Sequence, residues 1–207
     1  MKGTIGIDEV GRGPLAGPIT VCACFIQDEK AVLKDIFGGI IRDSKKIKKD
    51  LRFNIYQTIK HKRYLKSKVE YHVSSRSSAY IDRHGISRAT EACVLSCLQG
   101  LVKKGIDIHQ ISIKLDAGLK IKALNVEQKS FIKGDERFVE IALASIMAKE
   151  WRDSYMKRLS KIYPFYAWEE NVGYGTKRHR ESIRKEGATK YHRKTYLKAF
   201  KLFDKAE

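Results

Sequence analysis

The sequence predicts an α/β sheet domain followed by a helical C-terminal portion. Three observations carry this reading. Short apolar or alternating runs appear at Thr4 to Asp8, Ile19 to Phe25 and Ile111 to Asp116. A long helical segment runs from Phe138 to about Leu159, and the chain from Thr176 onwards reads as helical and very basic. Early strands followed by mixed helices and strands are the pattern of a sheet layered with helices.

Thr4 to Asp8 and Ile19 to Phe25 read as two strands joined by a Gly/Pro-rich turn. A basic, mostly helical stretch follows, then a strand around Lys68 to Val73. Ser87 to Val102 is an amphipathic helix with apolar positions near Ala89, Cys93, Leu95, Leu98 and Leu101. Ile111 to Asp116 alternates with period two, as a half-buried strand does. The segment from Ile141 to Ala148 is almost wholly apolar, which predicts burial of that helix against the sheet. The sequence has no internal repeat and no low-complexity linker.

A chain of 207 residues fits one domain, or one domain with a small appendage. It can bury roughly 70–75% of its unfolded surface without a disulfide or metal staple. Its 42 Lys and Arg stand against 24 Asp and Glu, a formal charge of +18. Such an excess favours polyanionic partners, nucleic acid first and an anionic membrane surface second. The basic residues concentrate in two segments: Arg42 to Lys68 holds eleven against two acids, and Lys177 to Lys201 ten against two. One such run can be a solvated face; two point to a phosphate-binding surface.

No apolar run approaches the ~20 residues that span a bilayer. The N-terminal MKGTIGIDEV lacks the long apolar core of a secretory signal, so the chain is expected to be cytoplasmic and not membrane-bound. Cys22 and Cys24 sit in a strand-like run, Cys93 and Cys97 one turn apart in a helix-like run. Four thiols could converge on zinc, but neither pair is flanked by turn geometry, so buried reduced thiols are the expectation.

Candidate chemistry centres on IGIDEVGRGPLAGP, residues 5–18. In strand phase Thr4, Gly6 and Asp8 share one face and Ile5 and Ile7 the other. Asp8 therefore closes the strand on its polar side, with Glu9 where the chain turns. Adjacent carboxylates beside an arginine and several glycines suit a hard divalent cation. A hairpin turn with an exposed acidic pair is the alternative. ISIKLDAG repeats the arrangement: Ile111, Ile113 and Leu115 face one way, Ser112, Lys114 and Asp116 the other. An aspartate in a strand-exit turn is the plainer account of Asp116. Asp153 continues the spacing Val139, Ala142, Ile146 on the long helix, or else is a surface acid with Lys149 and Lys157 a turn away.

In chain order, IGIDEVGRGPLAGP, DSKK at 43–46, KGD at 133–135, IALASIMAKEWRD at 141–153, GYGTKRH at 173–179 and HRKTY at 192–196 resemble the motifs of the ribonuclease HII family. The first motif is highly specific and the order of the set strengthens the others. Three departures stand out. Glu140 replaces a serine, Asn171-Val172 replaces His-Lys, and Thr195-Tyr196 replaces Ser-Phe. The resemblance implies a ribonuclease H-like mixed sheet flanked by helices over residues 1–163. Residues 164–207 would be a helical, basic substrate-binding portion.

The same resemblance implies an endonuclease acting on RNA–DNA hybrids and on single ribonucleotides within duplex DNA. Asp8, Glu9, Asp116 and Asp153 would be its catalytic acids and the ligands of two divalent ions, Mg²⁺ or Mn²⁺. The products would carry a 5′-phosphate and a 3′-hydroxyl. The backbone of Gly11, Arg12 and Gly13, with Tyr174, would sense the 2′-hydroxyl that separates RNA from DNA. Lys45, Lys46, Lys133 and the basic C-terminal helices would hold phosphates without reading sequence. The molecule is expected to be a monomer. The terminal YLKAFKLF resembles a sliding-clamp peptide in placing two aromatics after a leucine, but it lacks the leading glutamine and first reads as an amphipathic helix end.

Two competing readings remain. A basic binding module without catalysis would use GRGPLAG only to grip phosphate. The sister ribonuclease HIII family shares the core chemistry but usually carries an extra N-terminal domain, for which a strand starting at Thr4 leaves no room; Tyr174 within GYGT also favours HII.

Overall fold

Five strands form a single sheet: β1 (Thr4–Val10), β2 (Ile19–Ile26), β3 (Val69–Arg76), β4 (Ser112–Asp116) and β5 (Gln128–Phe131). Their order is β3-β2-β1-β4-β5. β1, β2 and β3 run antiparallel to their neighbours, while β1 with β4 and β4 with β5 are parallel, so the sheet is mixed as expected. The structure, a computed structural model, describes residues 3–38, 49–61, 68–116, 119–121, 123 and 125–200.

The helices among the described residues are α1 (Glu29–Phe37), α2 (Lys49–His61), α3 (Ser78–His84), α4 (Ile86–Val102), α5 (Val139–Ile162), α6 (Trp168–Asn171), α7 (Lys177–Glu186) and α8 (Lys194–Ala199). Ile5, Ile7 and Val21 face α4 through Cys93, Cys97 and Leu98 in one core. Cys22 and Cys24 face α5 through Leu143, Ala144 and Met147 in a second, which α1 and α2 close with Val32, Ile55 and Ile59. Each fully buried aliphatic side chain contributes about 1.5–3 kcal/mol. The two cysteine pairs thus belong to separate cores, and all four thiols are free and buried.

The polar face expected of β1 is covered as well. α5 crosses it so closely that a methyl group built on Gly6 would collide with the backbone of Glu140 and Ile141. Glycine at position 6 is what lets the helix lie on the strand. Glu140 is itself fully buried and pairs with Lys114 at 2.7 Å.

Several elements differ from the sequence expectation. β5 and α3 were not anticipated. β3 runs on to Arg76, while the C-terminal helical stretch comprises α7 and α8. Gly187 ends α7 at a positive φ of 78°, donating its N–H to Ile183. A third core holds this end of the chain: Leu15 and Ala16 from the glycine-rich loop, Met156 and Leu159 from α5, and Trp168, Ile183 and Leu197 beyond it.

Candidate active site

Parallel pairing brings the acids together. Ile7 lies opposite Leu115, so the next residues, Asp8 and Asp116, emerge side by side at the same end of the sheet. Both line a cavity of about 310 Å³. Glu9 and the loop residues Gly11, Arg12 and Gly13 share its wall, with Tyr174 from the C-terminal portion. Ser145, Arg52 and Lys149 complete it from α5 and α2. Ser145 and Lys149 lie within the 141–153 motif and Arg52 within the basic 42–68 segment, but none of the three was singled out as a site residue.

Asp8 is only 8% exposed. Burial pushes its carboxyl up to about 8; Glu9 and Asp116 push the same way, and a hydrogen bond with Ser145 opposes them. Burial likewise raises Glu9 to about 7, with Arg12 opposing and Asp116 reinforcing. Asp116 is held differently: its Oδ1 accepts the Gly134 N–H at 2.8 Å. The KGD motif therefore reaches the site through its backbone. Lys133 itself sits outside the cavity lining, 67% exposed and 3.2 Å from Glu136.

Asp153 stands behind this wall rather than on it. Its Oδ2 is 3.4 Å from Lys149 Nζ and 3.6 Å from Arg52 Nη2, both of which do line the cavity. Arg52 also donates to the buried Glu150 at 2.5 Å. Lys45 and Lys46 fall outside the described residues, as does the end of YLKAFKLF.

Among the described residues no three His, Cys, Asp or Glu side chains are arranged around one metal position. The donor set still fits a hard divalent cation. Glu9 Oε2 and Asp153 Oδ1 are buried with no hydrogen-bond partner, and beyond burial the neighbouring carboxylates raise the proton affinity of Asp8 and of Glu9. Such an acidic cluster gains from a bound cation.

Two fully buried arginines build the glycine-rich loop. Arg193 donates to the carbonyls of Gly11, Arg12 (2.7 Å) and Gly17. Arg152 donates to Pro18 (2.9 Å), Ala16 (3.1 Å) and Val172 (2.8 Å). Gly11 holds φ of 94°, and a methyl group there would strike Arg152. With their carbonyls bonded inward, the backbones of Gly11 and Arg12 have their N–H groups left to offer a ligand. Tyr196 adds a hydroxyl bond to the Arg12 carbonyl at 2.9 Å, which the family's phenylalanine could not make. Neither arginine's role was legible beforehand, because each reaches the loop across more than 130 residues of chain.

Tyr174 is half-exposed beside Gly13, and its turn is fixed from beneath. Thr189 donates its N–H to His192 Nδ1 at 2.9 Å, which places the His192 hydrogen on Nε2. His179 Nδ1 lies 2.8 Å from the Tyr174 carbonyl and must donate to it. His179 Nε2 is then an acceptor, taking bonds from Trp168 Nε1 and His192 Nε2, each at 3.1 Å. Asn171, where the family has histidine, caps the same turn by accepting from Gly173 N–H at 2.8 Å.

Both imidazoles are neutral in this network. Burial, and then His179, push His192 down from 6.5 to about 3. The unfolded chain therefore takes up a proton that the folded chain refuses. The stabilisation is complete above about pH 6.5 and is lost as pH falls towards 3, on the order of a few kcal/mol in full. Urea unfolding near pH 7 and about pH 5 should show a smaller loss for His192→Gln than for wild type. Equal losses would show that the ring is not held neutral.

The ribonuclease HII family model matches residues 5–201. Ribonuclease HII of Shouchella clausii is 37% identical over 191 residues, 92% of this chain and 67% of that protein. The chain thus spans about two thirds of the length of that curated relative. Among solved structures, ribonuclease H2 from Pyrococcus horikoshii superposes with a TM-score of 0.71 at 22% identity, covering 97% of this chain and 96% of that one. The ribonuclease HII of a PCNA complex from Archaeoglobus fulgidus gives 0.70 at 20% identity, over 93% and 94%. With a mixed sheet of the same fold and a family match that takes in the acidic cavity, its loop and both buried arginines, the chain belongs to the ribonuclease HII family of metal-dependent endoribonucleases.

Proposed function

We propose that this chain hydrolyses the phosphodiester at ribonucleotides in RNA–DNA hybrids and at single ribonucleotides embedded in duplex DNA, leaving 5′-phosphate and 3′-hydroxyl ends. The observation that supports it most is one cavity lined by three carboxylates, an N–H-presenting loop and an exposed tyrosine. Asp8, Glu9 and Asp116 would hold the divalent ions, Mg²⁺ or Mn²⁺, with Asp153 as the fourth acid once drawn from Arg52 and Lys149. A pair of such ions supplies an activated water and stabilises the leaving oxygen.

The chain's own groups do the rest. Gly134 N–H fixes Asp116, and Ser145 fixes Asp8. The amides of Gly11, Arg12 and Gly13 would meet the 2′-hydroxyl, which no deoxyribose presents. Tyr174, on the same cavity wall, would rest against the sugar that follows the ribonucleotide. The basic C-terminal helices, Lys133 and the segment bearing Lys45 and Lys46 would steer phosphates. Within this reading the C-terminus would also contact a sliding clamp, and the catalytic unit would act as a monomer.

The test is a cleavage assay on duplex DNA carrying one ribonucleotide. Cleavage should occur 5′ of no other position than the ribonucleotide junction, need Mg²⁺ or Mn²⁺, and vanish with excess chelator. Undiminished cleavage in chelator would sink the metal reading; no cleavage with either ion would sink the nuclease reading.

A further inference from the structure

A second cavity, of about 320 Å³, shares Arg12 with the acidic one and has the opposite charge. Arg88 lines it from the first turns of α4, and Lys120 from the segment after β4. Glu91 is the single acid on its wall. Among the described residues neither Arg88 nor Lys120 has an ion-pair partner, and Arg12 meets Glu9 only at 3.8 Å. Other surface cations here do find acids, as Lys104 does with Glu70 at 2.7 Å and Arg178 with Glu170 at 3.0 Å.

The wall is also prepared sterically. The Arg12 carbonyl is pinned by Arg193 and Tyr196, so its backbone is fixed while its side chain keeps 43% exposure. Thr90 spends its hydroxyl on Ile86, which leaves the Ser87 hydroxyl as the neutral donor on this wall. Val94 and Leu119 give the floor an apolar lining. Two unpaired cations, a third that is only loosely paired with Glu9, and a hydroxyl around an apolar floor suit an anion whose oxygens are spread over a small, partly apolar unit. Guanidinium groups pair with phosphate oxygens through planar forks, which a solvated lysine patch does not offer.

We propose that Arg12, Arg88 and Lys120 form a phosphodiester subsite, gripping a nucleic-acid backbone beside the acidic cavity. The proposal rests on the nuclease reading for its biological use, but binding tests it without turnover. The phosphodiester could belong to the cleaved strand or to its complement.

The double variant Arg88→Gln/Lys120→Gln leaves Arg12 and the acids untouched, and both substituted side chains are exposed, so its thermal melt should match wild type. Affinity for the ribonucleotide-bearing duplex, measured without divalent ions by fluorescence anisotropy across a salt series, should lose about 0.9–1.8 from the magnitude of its log–log slope, one or two phosphates' worth. In turnover KM should rise with kcat unchanged. A slope and KM equal to wild type would overturn the subsite and leave a solvated face.

A second arm places single uncharged methylphosphonate linkages along each strand in turn. The linkage that weakens wild type but not the variant names the strand that docks there; no such linkage in either strand overturns the proposal. Failure of the nuclease reading is separable, since it appears as an inert wild type with either metal while the salt slopes still judge the subsite.

Discussion

Asp116→Asn should lose roughly 10²–10³-fold in turnover on a ribonucleotide-bearing duplex while binding that duplex as wild type does. Stabilising charge at a phosphoryl centre is worth several kcal/mol, and each 1.36 kcal/mol is tenfold in rate. The substitution is conservative in every other respect. The amide oxygen can still accept the Gly134 N–H that Asp116 Oδ1 accepts at 2.8 Å. Removing a negative charge beside Asp8 and Glu9 relieves repulsion that raises both, so the variant should melt at the wild-type temperature or above it. Circular dichroism melts, anisotropy binding and single-turnover cleavage decide the matter together. Turnover within a few-fold of wild type would make Asp116 a strand-exit residue with no part in chemistry.

That aspartate also shows where sequence reading stops. Its phase was legible, because Ile113 and Leu115 are buried while Ser112, Lys114 and Asp116 are half-buried on the other side. Its neighbour was not. Only the parallel pairing of β1 with β4 sets Asp116 beside Asp8, and a pairing across a hundred residues leaves no local periodicity. β5 escaped for a simpler reason: Gln128, Lys129, Ser130 and Phe131 form a short edge strand with no apolar alternation. α3 is seven residues long and rests on the Ser77 cap rather than on an apolar stripe. Asp153 left two readings open, the end of a buried stripe or a surface acid beside Lys149 and Lys157; it is half-buried between Lys149 at 3.4 Å and Arg52 at 3.6 Å, off the cavity wall. The family resemblance named the acids, the loop and Tyr174, while the groups that orient them come from segments remote in sequence.

Arg193→Met should therefore be among the most damaging substitutions outside the acids, although Arg193 touches no substrate in this reading. The guanidinium is fully buried and is bonded to the carbonyls of Gly11, Arg12 and Gly17. A methionine fills much the same volume but donates nothing, which strands the buried Gly11 and Gly17 carbonyls at about 1–3 kcal/mol each and leaves the Arg12 carbonyl to Tyr196 alone. Some relaxation or water entry will recover part of this, so a net loss of roughly 2–4 kcal/mol is expected, against a total stability of about 5–15 kcal/mol. For a chain of this length that corresponds to a fall of roughly 4–16 °C in Tm. Arg193→Lys should recover part of the stability, since one ammonium can serve two of the carbonyls, but its single nitrogen cannot span all three. The decisive readout is the loop itself. If Arg193 holds the Gly11 and Arg12 carbonyls inward, the lysine variant should show a larger loss of cleavage at single ribonucleotides than in nucleic-acid affinity, because the outer basic surfaces are untouched. Matching losses of cleavage and affinity, or a melt unchanged in Arg193→Met, would show that the loop keeps its shape without this arginine.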